Sequence, residues 1–98
     1  MDDLLDRLQN WYWSQCDGDW EHQEGVHIET LDNPGWKVSI SIRGTNMQAI
    51  TMPPFEQDVD ENNWVFIKIE DGHFVGHGDP GKLKFMLSMF FDLVDGKG

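Results

Sequence analysis

A single cysteine, Cys16, leaves this chain no internal disulfide and no cysteine-rich zinc site, and a reducing compartment suits it. Basic residues are scarce, with seven Lys and Arg against eighteen Asp and Glu and a formal net charge of −11. That imbalance excludes a basic stripe able to neutralise phosphates, so nucleic acid is a poor partner and a basic protein a good one. No apolar run approaches the roughly 18 residues of a membrane span, and the acidic opening Met1-Asp2-Asp3 is unlike a signal peptide. These absences point to a soluble, cytoplasmic protein with no membrane association.

Ninety-eight residues support one core, and the whole chain, 1–98, reads as one domain. With 39% apolar residues, five Trp and six Phe, that core has enough bulk to fold despite the charge. The charge is uneven. Residues 1–35 carry nine acids against Arg7, residues 36–55 carry only Lys37 and Arg43, and residues 56–98 carry nine acids against four Lys. The stretch from Trp11 to Trp36 holds four of the five Trp, two of the four His and six carboxylates. Rings seek burial and carboxylates resist it unless paired. A helix end, a tight acidic loop and a first hairpin reconcile the two.

Leu4, Leu5, Leu8, Trp11, Tyr12 and Cys16 recur at helical spacing, with Asp2 and Asp3 placed to cap the N-terminus and Asp17-Gly18 to stop the helix. Trp13 lies beside the main stripe and is expected to be partly buried; Cys16 is expected to be a small buried residue at the helix end. Residues 26–31 and 36–43 read as strands joined by the Asp32-Asn33-Pro34-Gly35 turn. Trp36, Val38, Ile40 and Ile42 alternate with Lys37, Ser39, Ser41 and Arg43, the pattern of a strand with one face in the core.

A short edge strand is expected at 47–51 and another at 55–59. Residues 64–70 are expected to form a central strand partly covered on both faces, followed by an Asp71-Gly72 hairpin and a short strand over 73–77. Asp79-Pro80 is expected to open the last helix, whose inner stripe is Leu83, Met86, Leu87, Phe90, Leu93 and Val94, and residues 95–98 read as a tail. The fold class is α+β: an antiparallel sheet of four to six strands flanked by an N-terminal and a C-terminal helix.

Asp17-Gly18-Asp19-Trp20-Glu21-His22 alternates carboxylates as calcium loops do, but His22 stands where Gly is needed and Ile28 where Glu is needed. His73 and His77, four apart on one side of a strand, are too widely spaced to share an ion. No serine has a nucleophile elbow around it, and Gly76-His77-Gly78 is not a phosphate loop. No catalytic residue, metal ligand or cofactor is assigned.

The run Leu8-Gln9-Asn10-Trp11-Tyr12, then Ser14 to His22, Gly25-Val26, Ile28 and Thr30 to Trp36 resembles the bacterial immunity protein 53 family of polymorphic toxin systems. The resemblance continues more weakly through Asn63-Trp64, Glu70-Asp71-Gly72 and the final helix. It implies a non-enzymatic domain that binds and neutralises a cognate toxin; nucleases are frequent among such toxins. Acidity adds a mechanism, because a surface rich in Asp and Glu can occupy a basic nuclease cleft. On that reading Asp17, Asp19, Glu21, Glu24 and Asp32 form the partner-binding surface, with Trp13 or Trp20 as aromatic anchor, on a monomer or weak homodimer. The alternative is a small ligand-binding or metal-assisted enzyme domain built on the same Trp-, Asp- and His-rich loop.

Overall fold

The structure, a computed structural model, describes residues 4–96. The capping role expected of Asp2 and Asp3 lies outside the described residues, as do Lys97 and Gly98 of the tail. The chain runs α1 (Leu4–Gln15), α2 (Trp20–Gln23), β1 (Val26–Leu31), β2 (Gly35–Ser41), β3 (Phe55–Asp60), β4 (Asn63–Glu70), β5 (His73–Gly78) and α3 (Leu83–Val94). The five strands form one antiparallel sheet in the order β1-β2-β5-β4-β3. The architecture is therefore α+β, as the patterning implied.

Alternation builds the core. Val38 and Ile40 of β2, Phe74 of β5 and Val65 and Ile67 of β4 share the inner face and are fully buried beneath Met86, Leu87 and Phe90 of α3. Each such side chain contributes about 1.5–3 kcal/mol by leaving water. Phe74 and Phe90 meet edge to face at 5.3 Å, and Phe90 meets Trp11 of α1 at 5.0 Å, so one aromatic column links sheet, α3 and α1. Helix α3 lies close over β5. A Cβ at Gly76 would stand 2.7 Å from Met86 Sδ, and one at Gly78 would stand 2.7 Å from Lys82 Cβ. The two glycines set the helix–sheet distance.

The strand over 63–70, β4, lies inside the sheet between β5 and β3 as expected, with β5 in the middle; on its far face Trp64 and Lys68 are half-buried and Phe66 is 46% exposed. Two expectations are corrected. Residues 47–51 form turns, not a strand: Thr45 and Met47 redirect the backbone, and Met47 is buried with Ile50 and Met52 packed beside it. This segment carries the chain from β2 past β5 and β4 to β3, and its apolar side chains close the end of the core. Helix α3 begins at Leu83, one turn later than expected. The Asp79 carboxylate is drawn to the Trp64 N–H, the Gly81 N–H and Lys82 Nζ, which makes it the hub of a turn and not a helix cap. The Asp71-Gly72 turn forms as expected, with φ of 54° and 77° at the two positions. Asp95, expected in a loose tail, receives Arg7 of α1 at 2.9 Å, and Arg7 also sits over the Phe91 ring at 4.5 Å.

Candidate partner-binding surface

Helix α1 carries two apolar stripes. Leu8 and Trp11 turn inward, whereas Leu5, Tyr12 and Trp13 face water, Trp13 with 76% of its surface exposed. The expected partial burial of Trp13 is thus corrected: the core stripe is filled without it, and its ring falls on the outer side of the last turn. Cys16, expected to be buried, is half-buried just beyond the helix, where its thiol reaches the Tyr12 carbonyl.

The loop that follows is closed by its own acids. Asp17 Oδ1 accepts the N–H groups of Asp19 and Trp20, each at 2.9 Å. The two Glu21 oxygens accept the N–H groups of Asp17 and Gly18, also at 2.9 Å. The amides of Trp20 and Asp19 hold the Asp17 carboxyl below its usual range; Glu21 is lowered by its own N–H and by those of Asp17 and Gly18. Trp20 is 7% exposed, packs edge-on against Trp11 at 5.9 Å and donates its Nε1–H to the Arg43 carbonyl at 2.7 Å. It fastens α2 to the segment after β2.

Glu24 receives the Ser41 hydroxyl in a short hydrogen bond. Asp19 is exposed, and no side-chain hydrogen bond caps α2 from it. Asp17, Asp19, Trp20 and Glu24 line a hollow of about 230 Å³ together with Arg43 and Gly44. Asp32 is elsewhere: it lies in the turn at the far end of β1, roughly 20 Å away along the strand. The expected set therefore divides into Trp13 and Asp19, which are free for a partner; Asp17, Trp20, Glu21 and Glu24, which also hold the loop; and Asp32, which is remote. Among the described residues no three His, Cys, Asp or Glu side chains are grouped to hold a metal ion.

The sheet face away from the helices was less legible. Its register puts Lys37 opposite His77 and Lys68 opposite Val75, with His73, Glu70 and Ser39 in the same open depression of about 410 Å³. Burial first, then Lys37 and Lys68, hold the His77 imidazole below its ordinary value. Two of the few cations thus gather on one face of an acidic protein. Alternation in the sequence marked this face, but the order of strands, which it did not give, makes the cluster.

A family model described as Immunity protein 53 matches residues 5–95, nearly the whole chain. No curated protein and no solved structure matches the chain.

Proposed function

The chain belongs to the immunity protein 53 family, and from that premise we propose that it binds a cognate toxin and neutralises it in the cytoplasm of the cell that carries both. The proposed contact is the outer side of α1 with the acidic loop: Trp13 as anchor, Asp19 as the free charge, Asp17 and Glu24 presenting their remaining lone pairs around the hollow, and Glu21 in the same loop. Asp32, remote from the hollow, belongs to this proposed contact only as a distant rim charge. One observation carries the reading. Trp13, exposed over three quarters of its surface, shares the outer side of α1 with exposed Leu5 and Tyr12 next to a carboxylate-rich loop, and exposed aromatics of this kind are common as interface anchors.

The toxin this surface fits is basic, a nuclease being the suited class. Its cleft must hold phosphate groups, and carboxylates can occupy those positions while the net charge of −11 speeds encounter. Inhibition by occupancy requires no chemistry from this chain, so the proposal assigns it no enzymatic role. The competing metal-assisted reading needs several unengaged carboxylates in the loop, whereas one Asp17 oxygen and both Glu21 oxygens accept backbone N–H groups and Glu24 accepts the Ser41 hydroxyl.

Titration calorimetry against the polypeptide encoded beside this protein, with growth of cells expressing that polypeptide as a second readout, tests the proposal. Tight one-to-one binding with rescue of growth is expected. A folded protein that neither binds nor rescues overturns it.

A further inference from the structure

Strand β3 is an edge. It pairs only with β4, and Glu56 to Asp60 are all exposed. The ladder shows which of its backbone groups are unpaired. Trp64 spends its N–H on the Asp79 carboxylate and its carbonyl on the Asp79 N–H, both on the β5 side. Backbone direction alternates along an antiparallel strand, so Val65 and Ile67 face β3 and bind their partners Gln57 and Phe55. The N–H and C=O groups of Glu56 and Asp58 therefore point outward. The same two residues carry carboxylates on the open face of the sheet, beside Phe66 and Trp64.

Two hollows flank this edge. One of about 330 Å³, lined by Met52, Pro54, Phe55 and Met89, lies on the helix side. The other, about 240 Å³, is lined by Gln57, Asp58, Trp64 and Phe66 with Asn33. Neither Glu56 nor Asp58 makes a salt bridge among the described residues, and no Lys or Arg occurs between Arg43 and Lys68. Exposed edges of this kind are hazards that proteins blunt with charge. Here the charge is of one sign. It repels a second β3 from another copy, because like charges directly opposite are unfavourable, and it favours a strand bearing Lys or Arg at alternate positions. The opposite edge does not select in this way, since its Glu29 stands across from Lys37.

We propose that the β3 edge is a docking strand for an extended basic segment of a partner protein, which adds to the sheet through the outward backbone groups of Glu56 and Asp58. Basic side chains of the segment lie over the two carboxylates, and the residue between them turns toward the Met52–Met89 hollow. The ladder slips after Asp58, so regular addition is confined to Phe55–Asp58. This surface lies at the sheet edge away from β1, and its existence does not depend on the toxin reading or on the α1–α2 loop.

The test uses the full chain and a synthetic peptide of alternating lysine and threonine with one central leucine. Calorimetry gives affinity, and backbone amide shifts locate the site. Binding with shifts centred on residues 55–60 is expected, with loss of binding when the peptide is N-methylated at its edge-facing amides. Glu56→Lys with Asp58→Lys should weaken it about tenfold or more, whereas Asp6→Lys with Glu29→Lys, an equal change of charge elsewhere, should leave the shifts on β3. No binding, shifts centred elsewhere, or equal binding by the N-methylated peptide overturns the proposal. The last outcome would reveal attraction to net charge alone, and it needs no protein variant.

Discussion

Asp17 and Glu21 close one loop from both ends: Asp17 accepts the N–H groups of Asp19 and Trp20, and Glu21 accepts those of Asp17 and Gly18. Four amides at the entrance to α2 are satisfied by two side chains, in the manner of a reciprocal capping box. The first prediction follows from their charge. Both carboxyls are held below their ordinary values in the folded chain. Their contribution to stability is thus complete above the unfolded pKa, near 4, and is lost as pH falls through the lower folded value. Asp17→Asn and Glu21→Gln should each lower the melting temperature at pH 7, and the deficit should shrink toward pH 3. A deficit unchanged by acid would mean that packing, not charge, is what the substitutions disturb. It also follows that reversing Asp17, Asp19 and Glu21 together confuses loop stability with binding. Asp19→Lys alone is the cleaner probe.

Asp79 and Lys82 make the tightest charge pair in the described structure, at 2.7 Å, and Lys82 also donates to Asn63. Burial pushes the Asp79 carboxyl up, but Lys82 and the Trp64 and Gly81 amides outweigh it and the net shift is downward. Lys82→Met strands that carboxylate in a site 3% exposed and should cost about 3 kcal/mol in denaturant unfolding. Asp79→Asn in the Lys82→Met background should recover part of the loss. An additive, still lower stability would argue against coupling between the two.

Gly76 and Met86 fix how near α3 comes to the sheet. Gly76→Ala places a methyl 2.7 Å from Met86 Sδ and should cost about 2 kcal/mol through overpacking. The cost should fall by at least about 0.5 kcal/mol when Met86 is already alanine, because the conflict is between those two side chains. Equal costs in both backgrounds would assign the effect to the β5 backbone.

Periodicity made the two long helices, the β1–β2 hairpin and the Asp71-Gly72 turn legible, since each is a local pattern. It failed where a distant residue decides. Asp79 looks like a helix cap until Trp64, fifteen positions earlier, claims its oxygen. The β5 strand reads only as a short strand after the turn, yet it is the middle of the sheet and Gly76 and Gly78 make it the strand over which α3 settles. Of the surface residues, the carboxylates of the α1–α2 loop were visible as composition, but their division into loop-holding and free groups required coordinates. The pairing of Lys37 with His77, and of Asp58 with Trp64, depended on strand order and register.

The His77 imidazole, held low by burial and then by Lys37 and Lys68, should titrate below the ordinary value of about 6.5 when followed by proton NMR. The unfolded chain then binds the proton first, so this residue favours the fold above pH 6.5 and the benefit is lost as pH drops through the folded value. Lys37→Met should raise the His77 pKa by removing the second cause. A pKa that does not move would leave burial and Lys68 as the whole explanation.

Trp13 and Trp20 separate the structural from the binding use of tryptophan. Trp20 is enclosed by Trp11 and Tyr12 and tied to the Arg43 carbonyl, so Trp20→Ala should cost roughly 3–5 kcal/mol and Trp20→Phe, which loses mainly the hydrogen bond, about 1 kcal/mol. Trp13 has few neighbours to lose, and Trp13→Ala should leave stability within about 0.5 kcal/mol. Against the cognate toxin the order should invert. Trp13→Ala should weaken binding by about 2 kcal/mol or more, as a desolvated aromatic anchor does, and should act mainly on dissociation. Asp19→Lys should slow association instead, with an effect that fades as salt rises. Should Trp13→Ala bind as tightly as the parent, the interface must lie off the outer side of α1, and the exposed ring would require another explanation.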